Sequence, residues 1–108
     1  MRIARFASQA GMVAQFDGRL DATTAGEAEA ALQDLVSQGA VVADLEQVRY
    51  VSSAGLRVLL KAAKAAKDVG HRFAVCGLQP AVREVFEISG FDRVITTFAN
   101  LAEASAAA

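Results

Sequence analysis

Two consecutive hydroxyls, Ser52 and Ser53, stand before the small residues Ala54 and Gly55 and the apolar run that opens at Leu56. Serine at a helix start can do one of two things. It can cap, its side-chain oxygen accepting a hydrogen bond from a free N–H of the first turn. It can also carry a phosphoryl group, because that turn has unpaired N–H groups and partial positive charge, which make an added anion tolerable. Residue chemistry leaves both uses open for this pair. In the second use, phosphorylation places about two negative charges on a neutral surface. A partner docked there is repelled with no change of fold. Ala54 and Gly55 are small enough for a partner to approach the backbone closely. Arg57, one turn from Ser53, shares a basic helix face with Lys61 and Lys64. That face is either a solvated surface or a match for an acidic partner.

Other chemistry is harder to assemble. The chain has one histidine, His71, and one cysteine, Cys76. His71 follows a glycine that ends a helix and reads as a solvated turn residue. Cys76 ends an apolar strand and reads as a small buried hydrophobe rather than a reactive thiol. Together they cannot make a four-ligand zinc site. Asp17 and Asp21 have no base near them in sequence, so turn stabilisation is the expected role. No phosphate-cradling glycine loop and no nucleophile elbow is present. The expectation is a binding module without a cofactor, not an enzyme.

Composition agrees. The 108 residues suit one domain, and 54% are apolar, enough to build a core. Eleven basic and twelve acidic residues leave a net charge of -1, which argues against a general nucleic-acid binder. No apolar run approaches the length of a bilayer span, and the N-terminus lacks the long apolar stretch of a signal peptide. A lone cysteine fits a reducing, cytoplasmic setting. A monomer is the default expectation.

The elements that must position the serine pair follow from periodicity. Ile3 to Ser8 and Met12 to Phe16 read as an antiparallel hairpin, after which residues 17–21 leave the sheet. Thr24 with Glu27 resembles a capping box. The helix it opens buries Ala28, Ala31, Leu32, Leu35 and Val36, and Gly39 ends it. Val41 to Leu45 reads as a central strand covered on both faces, and Glu46 to Ser52 as a loop. A second helix runs from about Ser53 to Val69, with a stripe of Leu56, Leu59, Leu60, Ala63, Ala66 and Val69. Residues 72–76 form another buried strand. Pro80 sits in the first turn of a third helix, whose apolar positions are Val82, Val85, Phe86 and Ile88 and which Gly90 ends. Arg93 to Thr96 reads as a short strand. Asn100, with Glu103 three residues on, caps a final helix from Leu101 to about Ser105, and residues 104–108 look dispensable. The order predicts an α/β fold: a mixed sheet of four or five strands, mostly parallel in its later part, packed against about four helices. No internal repeat or domain boundary is visible.

The stretch from Asp44 to Leu60 resembles the signature of the STAS domain, in particular the bacterial anti-sigma factor antagonists: an Asp-Leu pair, an apolar stretch, a serine, a small residue, Gly-Leu and an apolar helix. Phe16 to Asp21 resembles the family's Gly-x-Leu-Asp turn, Cys76-Gly77-Leu78 with Pro80 and Val82 its loop before the third helix, and Val85-Phe86 to Gly90-Phe91 its later helix and turn. The resemblance spans nearly all of residues 1–108, read as a single STAS domain. It implies a protein that binds an anti-sigma factor when unphosphorylated and so frees the sigma factor. That partner would be a serine kinase with a histidine-kinase-like ATPase fold. The kinase would phosphorylate the serine matching Ser53 and release the complex, and a PP2C-type phosphatase would reset it. Asp21 matches the turn aspartate near that serine. Many members have aspartate where Ser52 stands, which makes Ser52 an alternative acceptor and removes a negative charge beside the phosphate. The docking surface implied is Asp21, Ser52, Ala54, Gly55, Arg57 and Lys61. The same family includes accessory subunits of lipid-transport ABC systems, which would bind their ATPase constitutively.

Overall fold

The computed structural model describes residues 1–107. Strand β1 (Arg2–Ser8) turns into β2 (Gly11–Leu20), followed by α1 (Ala25–Gln38), β3 (Val41–Val51), α2 (Ser53–Asp68), β4 (Phe73–Cys76), α3 (Pro80–Ser89), a 3-10 turn at Phe91–Arg93, β5 (Thr96–Phe98) and α4 (Leu101–Ala106). The five strands form one sheet in sequence order. β1 runs antiparallel to β2, and every later pair is parallel. This is the mixed sheet with four helices that the apolar pattern predicts.

The main core lies between the sheet and helices α1, α2 and α3. Ala14 and Phe16 of β2, Ala43 and Leu45 of β3 and Val75 of β4 meet Leu32 and Val36 of α1, Leu59 and Ala62 of α2 and Phe86 of α3. β2, β3 and β4 send alternate residues to this face. A smaller cluster on the opposite face holds Val42, Cys76 and Ala104, so α4 is anchored by a buried side chain. Ala104 therefore does not belong to a dispensable tail. Ala108, at the end of that tail, lies outside the described residues.

Both central strands run further than the apolar pattern implies. β2 continues through residues 17–20, and β3 through residues 46–51, where a loop is expected. β3 pairs with β4 only over Val41 to Asp44, so beyond that point β3 has a neighbour on one side alone. A half-covered strand admits Glu46, Gln47, Arg49 and Tyr50, and their polarity is what makes the segment look like a loop. Register shifts between Gln15 and Asp17 and between Gly18 and Arg19 add twist to this two-stranded extension.

Smaller departures have local causes. Thr24 precedes α1 without a side-chain cap bond, because its hydroxyl is engaged elsewhere. Ile88 and Val69 are exposed, falling off the helix faces that meet the core. The stretch expected as a strand at 93–96 begins at the end of the 3-10 turn, Ile95 beyond it is buried, and pairing with β4 starts only at Thr96. Gly90 ends α3 with φ 73°, the left-handed conformation that glycine adopts without steric cost.

Candidate functional site

The carboxyl ends of β2 and β3 lie side by side, Leu20 opposite Val51, and α2 starts immediately beyond them. Only Ser52 separates β3 from α2. Its N–H donates to the Leu20 carbonyl at 2.9 Å, and its hydroxyl oxygen accepts the Gly55 N–H at 3.3 Å. Ser52 is thus the N-cap of α2, one of the roles that the sequence allows for either serine. Ser53 is the first helical residue and is exposed. The two adjacent hydroxyls are therefore divided: one faces the helix backbone, the other faces solvent.

Gly55 is buried, and a Cβ there would stand 2.5 Å from the Leu20 carbonyl oxygen and 2.9 Å from the Leu20 Cγ. Its small size lets the first turn of α2 rest on the end of β2. This corrects the expectation that Gly55 lies open to a partner. Ala54 is half-buried at the same turn.

Asp21 follows the strand residue that receives Ser52, and it organises the neighbouring start of α1. One carboxylate oxygen accepts the Thr23 N–H at 3.0 Å and the Thr23 hydroxyl at 2.7 Å; the other meets Arg19 Nε at 3.4 Å. The Thr23 hydroxyl, with help from Arg19 and the backbone, holds the Asp21 carboxyl below its ordinary range. Thr24 accepts the Asp21 N–H at 3.0 Å and donates to the Arg19 carbonyl at 2.7 Å. The turn-stabilising role expected of Asp21 is what these bonds describe.

The basic face of α2 is split. Lys61 reaches back to Glu29 of α1 at 3.0 Å, a partly exposed pair, so its charge is answered within the chain rather than left for a partner. Arg57 is exposed and makes no ion pair among the described residues. The first turn of α2 contains no acidic residue, whereas that of α1 contains Glu27.

Sequence reading passes over Arg19 and Tyr50. The guanidinium of Arg19 lies 4.2 Å from the centre of the Tyr50 ring, and both residues are exposed beside the α2 start. Their pairing depends on the register shift just before Arg19, which no local sequence signal announces.

The other titratable candidates sit apart from this surface. Cys76 is fully buried, and desolvation, aided by the charges of Asp44 and Glu46, pushes its thiol up to about 12. His71 is half-buried, and its Nδ1 lies 2.7 Å from the Val36 carbonyl, so it tethers the α2–β4 turn to α1 rather than standing free in solvent. Asp44, on the face of the sheet opposite the main core, is buried with the Gln15 amide and the Glu46 N–H as donors. Among the described residues, no helix is long and apolar enough to cross a membrane.

The sequence and the fold both match known proteins. The STAS domain family model matches residues 4–104. A protein of Bordetella bronchiseptica that carries the provisional name anti-sigma factor antagonist BtrV is 44% identical over 99 residues, which cover 90% of this chain and 84% of the relative. The structure of an anti-sigma-factor antagonist (STAS) domain protein from Planctomyces limnophilus is similar with a TM-score of 0.87 and 26% identity, over 97% of this chain and 96% of that one. An anti-sigma factor antagonist from Mycobacterium paratuberculosis is similar with a TM-score of 0.88 and 25% identity, over 98% and 92% of the two chains.

Proposed function

The chain belongs to the STAS domain family, and from that premise we propose that it is an anti-sigma factor antagonist that works by partner switching. Unmodified, it binds an anti-sigma factor that is also a serine kinase of histidine-kinase-like fold, and so releases the sigma factor. The kinase phosphorylates Ser53, the complex separates, and a PP2C-type phosphatase restores the binding form. The protein is a cytoplasmic regulator and not an enzyme.

The observation that supports Ser53 over Ser52 is the division of the two hydroxyls. Ser52 accepts the Gly55 N–H, while Ser53 is exposed at the first helical position. A kinase needs a hydroxyl that can enter its site without unfolding the helix start. Phosphate on Ser53 adds about two negative charges close to the free N–H groups of α2. The fold tolerates that charge, and a partner surface facing it does not. Arg57, Asp21 and Ala54 frame the docking surface, and the exposed Arg19–Tyr50 stack extends it with residue types common at binding hot spots.

The test begins with the kinase recovered from cells on the unmodified protein. Incubation with that kinase and ATP, followed by mass spectrometry, is expected to place phosphate on Ser53. Phosphate on Ser52 alone, or on neither serine, would refute the assignment. The Ser53→Asp variant is expected to bind the kinase at least tenfold more weakly than wild type (about 1.4 kcal/mol); equal affinity would remove charge at position 53 from the mechanism.

A further inference from the structure

We propose that Arg57 is the intramolecular partner of phosphorylated Ser53, so that modification withdraws a cation from the docking surface as well as adding an anion to it. The inference rests on the reading of Ser53 as the phosphoacceptor and deepens it.

Residues four apart on a helix are neighbours on its surface, with Cβ atoms about 5–6 Å apart. Ser53 and Arg57 are such a pair, both in α2 and both exposed. What surrounds Arg57 makes the pairing specific. Three and four residues away on the helix stand Ala54, Leu60, Lys61 and Ser53, none of which is acidic. The one acid of α2 is Asp68, three turns further on. Across the helix pair, Glu29 of α1 is already held by Lys61 at 3.0 Å. Arg57 thus has no anion within helical reach until one is made at position 53. A guanidinium is also the group best shaped for it, since its fork of N–H donors engages two phosphate oxygens at once.

The consequence is a reciprocal switch. Before modification Arg57 is free to meet an acidic group on the partner. Afterwards it is paired within its own helix, and the partner's acid is left without a counter-charge while facing the phosphate. One modification thereby removes an attraction and adds a repulsion, and neither requires movement of the backbone.

The test uses the full chain with phosphoserine incorporated at position 53 during translation, so that no kinase is needed. The readout is a 31P NMR pH titration. A neighbouring cation favours the doubly charged phosphate, so the second phosphate pKa is expected to be about 0.3 unit lower with Arg57 present than in Arg57→Gln. Lys64→Gln, which removes a charge away from this pair, is expected to leave the titration unchanged. Equal titration of wild type and Arg57→Gln overturns the proposal, as does an equal effect of Lys64→Gln, which would mean diffuse charge rather than a pair. This failure is separable from failure of the acceptor reading, which would appear as missing enzymatic phosphate on Ser53.

Discussion

Helices α1 and α2 start at equivalent places, each beyond the carboxyl end of one of two adjacent parallel strands, yet their hydroxyls are used differently. At the start of α1, Thr23 bonds to Asp21, and Thr24 bonds to both the Asp21 N–H and the Arg19 carbonyl. At the start of α2, one side-chain bond from Ser52 does the capping, and the next hydroxyl, on Ser53, is left to solvent. A hydroxyl committed to internal bonds cannot be modified without loosening the turn that it holds. A spare hydroxyl beside an already capped helix can. The difference explains why the hydroxyls of a threonine-rich segment are held in internal bonds while its neighbour, with two serines, leaves one hydroxyl exposed, the one that the proposed switch would use.

The glycines in the two first turns offer the severest test of this contrast. Gly55→Ala puts a methyl into the Leu20 carbonyl, and we expect a loss of about 2–3 kcal/mol in urea unfolding. Gly26 has nothing within 4 Å of the equivalent position, so Gly26→Ala should gain about 0.5–1 kcal/mol. Similar effects at the two sites would show that α2 does not rest on β2 as described.

Next in size are the hydroxyls that are in use. Thr24→Ala removes two hydrogen bonds and should cost about 1–2 kcal/mol. Ser52→Ala removes one cap and should cost about 1 kcal/mol. Ser53→Ala should change stability by less than about 0.5 kcal/mol, as for an exposed residue without partners. Denaturation midpoints rank the three, and a Ser53→Ala loss as large as that of Ser52→Ala would mean that both serines hold the turn.

The smallest effect expected is a pH dependence confined to the α1 side. Because the folded state lowers the Asp21 pKa, its contribution is present above the unfolded carboxylate value and is lost as pH falls through the folded one. Asp21→Asn should flatten that part of the acid limb of the stability curve, whereas Ser52→Ala should leave its shape intact. An unchanged curve in Asp21→Asn would remove Asp21 from the α1 start.

Much of this was legible along the chain. Continuous apolar runs mark β3 and β4, a helical stripe marks the buried face of α1, and Pro80 and Gly90 bracket α3. The stripe expected on α2 is right at Leu56, Leu59 and Ala66 but misses Val58 and Ala62, which are buried where Leu60, Ala63 and Val69 are not. The cap of α4 could be read from Asn100, whose side chain accepts the Glu103 N–H at 2.9 Å. The same spacing at Thr24 and Glu27 misled, because a threonine that can cap can also bond to the strand before it. Arg19 and Tyr50 carried no signal, since they meet only through a shift in strand register.

The sequence by itself determined the elements and their order, because hydrophobic period, glycine and proline act over a few residues. It also brought two serines to the head of one helix. Which of them caps and which stays free was decided only by tertiary structure. β2 and β3 had to extend as a pair, so that the Leu20 carbonyl could take the Ser52 N–H and leave no space at Gly55 for a side chain. Those contacts join residues more than thirty positions apart, and long-range pairing of that kind is outside what local chemistry can specify.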